Sequence, residues 1–150
     1  MRYLPYKLTE NAVISRVKVH LRRLGFTNIR IKNTHQRGID IMATAPDDIT
    51  ELFVEAKGEI SSKPGTSRYK KGFSTSQKKD HLGKQLLWAC QMLTRKFDHP
   101  VRIGLALPND KKNSELIQEI EPILKSLNVT VFLSEKDQHV VIKGSPLYDS

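Results

Sequence analysis

Gly38-Ile39-Asp40-Ile41-Met42-Ala43-Thr44-Ala45-Pro46-Asp47-Asp48-Ile49-Thr50-Glu51-Leu52-Phe53-Val54-Glu55-Ala56-Lys57 has the pattern of a β-hairpin from which the rest of the architecture follows. Two runs with strand character, 38–45 and 51–57, flank Pro46-Asp47-Asp48, residue types that favour a turn. Ile39, Ile41 and Ala43 are expected on one face of the first run, and Leu52-Phe53-Val54 form the apolar centre of the second. With the turn near Asp47 and Asp48, antiparallel partners have numbers summing to roughly 95 to 97. Asp40 then lies opposite residues 55 to 57. Side chains alternate along a strand, so Glu55 and Lys57 point the same way. In either odd-sum register Asp40 is directly across from one of them and diagonal to the other.

Two carboxylates side by side repel unless a cation sits between them. A hard divalent ion such as Mg²⁺, with Mn²⁺ as substitute, accepts carboxylate oxygens, backbone carbonyls and waters. Asp40, Glu55 and the backbone carbonyl of Ala56 offer three such oxygens. An ion held there would lower the pKa of a bound water and neutralise charge on a phosphate. Lys57 would orient or help deprotonate that water, or stabilise the pentacovalent phosphorus of the transition state. These are the parts that phosphodiester hydrolysis needs. The same residue types also suit a surface ion-pair cluster at a strand end, and spacing alone does not separate the two.

Outward from the hairpin, residues 9–24 carry Ala12, Val13, Val17, Leu21 and Leu24 at helical spacing, with Thr9 as N-cap and Gly25 as the residue that ends the helix. Residues 26–32 form a first strand through Ile29 and Ile31, and 33–37 a polar turn. Residues 58–72 are rich in Ser, Gly and basic residues and predict a loop. A long helix over 76–97 follows, its apolar stripe being Leu82, Leu86, Ala89, Cys90, Leu93 and Phe97. Cys90 in that stripe is expected to be a buried structural thiol. Pro100 closes this unit. Residues 101–107 predict a buried strand, 113–127 a helix bent or broken near Pro122, and 129–133 and 139–143 two short strands. The first three strands have short links and are expected to be antiparallel neighbours. The long helix is a crossover, which implies a parallel fourth strand. The fold class is therefore α/β, one domain over 1–150, with a central mixed β-sheet flanked by helices.

The chain has 150 residues, enough for one core. No segment approaches the ~18 consecutive apolar residues of a membrane helix. Residues 1–8 lack the apolar core of a signal peptide, and Cys90 is the single cysteine, which excludes an internal disulfide and a multi-cysteine zinc site. A cytoplasmic location and no membrane partner are expected. Lys and Arg number 25 against 16 Asp and Glu, for a net charge of +9. Such a surface attracts polyanions, nucleic acid first. Lys63, Arg68, Lys70, Lys71 and Lys78, with Tyr69 and Phe73 between them, suit phosphate contacts and base stacking. Arg37 could join them.

Gly38-Ile39-Asp40 followed by Phe53-Val54-Glu55-Ala56-Lys57 resembles the bipartite signature of the PD-(D/E)XK nuclease superfamily. This is the restriction-endonuclease-like fold, a three-layer αβα arrangement that includes Holliday-junction resolvases and Mrr-type enzymes. Ile39 stands where the superfamily's name has Pro. The resemblance covers roughly residues 9–107, over which the superfamily's element order matches. It implies a metal-dependent endonuclease acting on DNA, with Asp40 and Glu55 as metal ligands and Lys57 assisting the water. It further implies an acidic residue on the first helix near the metal, which Glu10 fits, and a site-facing Gln on the long helix. Gln85 is the first candidate and Gln77 the second. His81 shares their face and is a candidate metal ligand, proton donor or phosphate contact. Many proteins of that fold act as dimers, so a homodimer is compatible with the resemblance. The competing expectation is a catalytically inactive nucleic-acid-binding module with the same fold.

Overall fold

The computed structural model describes residues 8–32, 38–59 and 74–147. Nine elements follow one another: α1 (Glu10–Arg23), β1 (Thr27–Ile31), β2 (Ile41–Thr44), β3 (Glu51–Ala56), α2 (Thr75–Thr94), β4 (Val101–Pro108), α3 (Lys111–Ser126), β5 (Val129–Ser134) and β6 (Val140–Gly144). The element order is the one expected. The strands form one six-stranded mixed sheet in the order β1-β2-β3-β4-β5-β6. β1, β2 and β3 are antiparallel neighbours, β3-β4 and β4-β5 are parallel, and β6 returns antiparallel to β5. Each parallel pair is joined by a helix, as a crossover requires.

Side-chain alternation splits the core in two. Ile41, Ala43, Val54, Ala56, Ala106 and Phe132 pack with Val13, Val17 and Leu21 of α1. Phe53, Ile103, Leu105, Leu107, Val131 and Leu133 pack with Leu82, Ala89 and Met92 of α2 and Leu116, Ile117 and Leu124 of α3. The three helices thus cover opposite faces of the sheet. None of the described helices is long and apolar enough to cross a membrane.

The helix ends have local causes. Thr9 caps α1 by accepting from the Ala12 N–H at 3.1 Å, and Gly25, at φ +90°, ends it. Ser74 and Gln77 form a reciprocal capping box on α2. Asp110 caps α3 through the Asn113 N–H at 2.8 Å, so the helix starts two residues before Asn113.

Several expectations are corrected. The inner face of α2 is Leu82, Gln85, Ala89 and Met92, while Cys90 and Leu93 are exposed. The apolar pattern was ambiguous by one helical step, and turning Gln85 inward swings Cys90 out. Ile39 packs at the edge of the α2 and α3 cluster rather than with Ile41 and Ala43. β2 begins only at Ile41, after Gly38 at φ +122°, so strand alternation does not extend back to Ile39. α3 runs unbroken through Pro122, whose position is exposed. The helical bond that Pro122 cannot donate would go to Gln118, an exposed residue where water can serve the carbonyl. At the sheet edge the β1 register shifts between Thr27 and Arg30, with Asn28 at φ +49°.

Candidate active site

β2 and β3 pair with Ile41 opposite Val54, a sum of 95. Extended by one residue, that register sets Asp40 across from Glu55, the lower of the two expected odd registers. β1 and β2 pair with Ile31 opposite Ile41, and the Lys32 N–H donates to the Asp40 carbonyl at 3.0 Å. Lys32, Asp40 and Glu55 therefore form one row across three adjacent strands.

Asp40 is 1% exposed. Its Oδ2 accepts from the Ala56 N–H at 2.8 Å, so the carboxylate serves an amide at the very end of β3. Its Oδ1 meets Lys32 Nζ at 2.9 Å. Its third partner is the Glu55 side chain, which shares a hydrogen bond with it. Burial opposes the charge of Asp40, but the bonds from Glu55, Ala56 and Lys32 outweigh it and hold the pKa below the usual carboxylate value. Glu55 moves the other way. Burial, then the hydrogen bond to Asp40 and its charge, push Glu55 up to about 8, against the pull of Lys57 and Lys32. At neutral pH the pair is one carboxylate and one carboxylic acid sharing a proton.

The other members surround this pair. Burial disfavours the charge of Lys32, yet Asp40, Glu55 and Glu10 together raise its pKa. Glu10, in the first turn of α1, is therefore within electrostatic reach of the row. It is held there by a clamp that joins α1 to the end of β3: the Glu59 N–H donates to the Leu8 carbonyl and the Leu8 N–H to Glu59 Oε1, both at 2.8 Å. Lys57 follows directly on β3 and its field reaches both Glu55 and His81. Burial, then Lys57 and Lys84, lower the pKa of His81 and favour the neutral imidazole. The structure thus brings together Asp40, Glu55, Lys57, Glu10 and His81.

Gln85 has a different place from the one expected of a site-facing side chain. It is fully buried, and its Nε2 donates to the carbonyls of Glu55 at 3.1 Å and Ala106 at 3.2 Å. It pins α2 to the ends of β3 and β4, one peptide away from the acids. Its Oε1 is buried and has no hydrogen-bond partner among the described residues. Replacing Gln85 by Leu keeps the volume and removes both bonds. The expected cost is about 1–3 kcal/mol, read as a lower urea midpoint at unchanged m-value.

Gln77 and Lys78 also have structural partners. Gln77 Oε1 accepts from the Ser74 N–H in the capping box, and Lys78 Nζ pairs with Asp110 Oδ2 at 3.0 Å, tying α2 to α3. Arg37, Lys63, Arg68, Lys70 and Lys71 lie outside the described residues. Sequence reasoning missed Lys32 and the Leu8–Glu59 clamp. The alternation of Arg30 and Lys32 was a signal, but nothing in the sequence between Lys32 and Gly38 fixes the β1 register.

Among the described residues no three His, Cys, Asp or Glu side chains group closely enough to hold a metal alone. The donor chemistry still fits a hard cation. Mg²⁺ commonly uses one or two carboxylates and keeps several waters. Two adjacent acids that must otherwise share a proton, beside the Ala56 carbonyl, meet that requirement. Comparison of the chain with protein-family models, with curated proteins and with solved structures returns no match.

Proposed function

We propose that this chain is a divalent-metal-dependent phosphodiester hydrolase acting on DNA, an endonuclease, with Asp40, Glu55 and the Ala56 carbonyl as metal donors. The observation that carries this reading is the buried Asp40 in contact with the half-buried Glu55, with Lys57 beside them just past the end of β3. Holding two acids in contact away from bulk water is costly for a fold, and a cation converts that cost into a binding site. Mg²⁺, or Mn²⁺ in its place, would supply charge neutralisation at the phosphate and a water of lowered pKa. Asp40 is held in position by the Ala56 amide before any ligand arrives. Glu55 would hold the ion as a carboxylate, its proton released to solvent. Lys57 orients the attacking water or screens the phosphate, Glu10 adds negative charge from the α1 side, and neutral His81 stands ready to exchange a proton or contact a phosphate.

The hairpin's resemblance to the PD-(D/E)XK signature and the agreement in element order support placing the chain in that superfamily, with its restriction-endonuclease-like fold. The choice of DNA rests on that resemblance. The net charge of +9 supports a polyanionic substrate. The competing reading, an inactive nucleic-acid-binding module, is favoured by one observation: Lys32 already neutralises Asp40.

The deciding experiment incubates the purified protein with supercoiled plasmid and Mg²⁺ or Mn²⁺, beside an EDTA control. Metal-dependent nicking or linearisation is expected. Intact plasmid together with salt-dependent DNA binding would favour the inactive module.

A further inference from the structure

We propose that Lys32 is the place-holder for the divalent cation, its ammonium occupying Asp40 Oδ1 in the metal-free protein and leaving when the ion binds. This rests on the metal-dependent reading of the site and adds the residue that sets its metal affinity. Asp40 has two oxygens, and Oδ2 is committed to the Ala56 amide at 2.8 Å. Oδ1 is the oxygen that the backbone leaves free, and Lys32 Nζ sits on it at 2.9 Å, with the Glu55 side chain as the carboxylate's remaining partner. The ammonium is anchored a second time, on the Gly38 carbonyl at 3.2 Å. An ammonium and a divalent ion on the same oxygen would be close neighbours of like charge in a poorly screened site, so they exclude each other. Asp40 cannot withdraw, since it is buried and bonded to the backbone. Lys32 can: it directly follows the edge strand β1, its side chain is 22% exposed, and its long flexible stem reaches solvent. Exchange therefore costs one surface-proximal ion pair and leaves the strand framework unchanged. It also explains how a buried carboxylate stays ionised before metal arrives. Lys57 does not fill this position: its charge is felt by Glu55, and no bond ties it to Asp40.

The test measures Mn²⁺ binding to the whole metal-free protein by calorimetry, for wild type, Lys32→Met, Lys32→Arg and Lys57→Met. Lys32→Met is expected to bind Mn²⁺ about tenfold more tightly, equivalent to about 1.4 kcal/mol. Lys32→Arg should stay near wild type. Lys57→Met should gain distinctly less than Lys32→Met, because it removes charge without vacating Oδ1. Equal gains in the two Met variants would mean a general field effect and overturn the place-holder. Unchanged or weaker Mn²⁺ binding by Lys32→Met would overturn it as well. A second measurement needs no variant: the rate at which an amine-acylating reagent labels Lys32 in the wild type, read by peptide mass spectrometry. Labelling should accelerate on adding Mg²⁺ at a saturating concentration, and a rate unaffected by bound metal sinks the proposal. Should the wild type bind neither Mn²⁺ nor Mg²⁺, the metal-dependent reading itself fails. Metal binding by the wild type that is lost in Glu55→Gln, with no effect at Lys32, would remove the place-holder alone.

Discussion

Glu55→Gln is expected to abolish metal-dependent cleavage, by about 10³-fold or more in kcat/KM, while leaving the metal-free protein at least as stable as wild type. The two halves of this result have one cause. At neutral pH Glu55 is the protonated member of the pair and donates to Asp40. A Gln amide donates in the same place, so the metal-free fold keeps its hydrogen bond. The amide cannot become an anion, so the site loses one of its two charged donors. The stability difference depends on pH. Glu55 has its folded pKa raised, to about 8, above the ordinary 4.5 of a free glutamate. Its contribution is therefore present below about 4.5 and is lost as pH rises through about 8. Asp40 has its pKa lowered, so its contribution is present above the ordinary 3.8 of a free aspartate and is lost on acidification. Wild type should weaken between pH 6 and 9 through this pair, and Glu55→Gln should not. Melting curves at pH 6 and 9 check this in the absence of metal. Equal pH slopes in the two proteins would show that Glu55 is ionised throughout, and residual cleavage near the wild-type rate would remove it from the metal site.

Gly58→Ala is expected to be among the most damaging single-methyl changes at the described glycines. A Cβ at Gly58 would lie 2.3 Å from the Glu10 nitrogen, 2.6 Å from the Thr9 carbonyl carbon and 3.0 Å from the Leu8 carbonyl oxygen. All three are backbone atoms, so no side chain can turn away. The start of α1 must move off the end of β3, straining the two Leu8–Glu59 bonds and withdrawing Glu10 from Lys32. Overpacking of this kind costs about 3 kcal/mol, which for a domain of this size lowers the melting temperature by roughly 6–12 °C. Cleavage should fall with it, since the acid on α1 is displaced. Gly83→Ala supplies the contrast. Gly83 is exposed in α2 with nothing near its Cβ position, so there Ala should raise stability by roughly 0.5–1 kcal/mol. A Gly58→Ala protein that melts like wild type would mean that the α1 junction has slack.

Much of this architecture was legible because its signals are local and periodic. The hairpin over 38–57 has a turn of known length, so its register followed by counting, and with it the meeting of Asp40 and Glu55. Helical spacing and Thr9, Gly25 and Pro100 marked where α1 ends and where α2 gives way to β4. What stayed hidden depended on distant packing. Nothing near Gln85 indicates that it turns inward, because its partners are carbonyls 30 and 21 residues away in sequence. Cys90 was misplaced for the same reason, as one buried polar side chain rotates the whole helix face. Lys32 required the β1 register, which the sequence between β1 and β2 does not fix. Gln77 and Lys78 looked like ligand contacts by charge and position, yet the backbone of Ser74 and the carboxylate of Asp110 claim them first.

The margins of the sheet carry a consequence for how the protein behaves at high concentration. Exposed strand borders invite other chains to add on. Here β1 is five residues long, shifted in register at Asn28, and carries Arg30, with Lys32 directly after it. A second molecule approaching that border meets an irregular ladder flanked by the Arg30–Glu51 and Lys32–Asp40 ion pairs. The far border, β6, is equally short, carries Lys143, and turns out of line at Gly144, at φ +70°. Neither side offers a flat template, so ribbon-like self-assembly is blocked at both ends, and self-association through these borders is disfavoured.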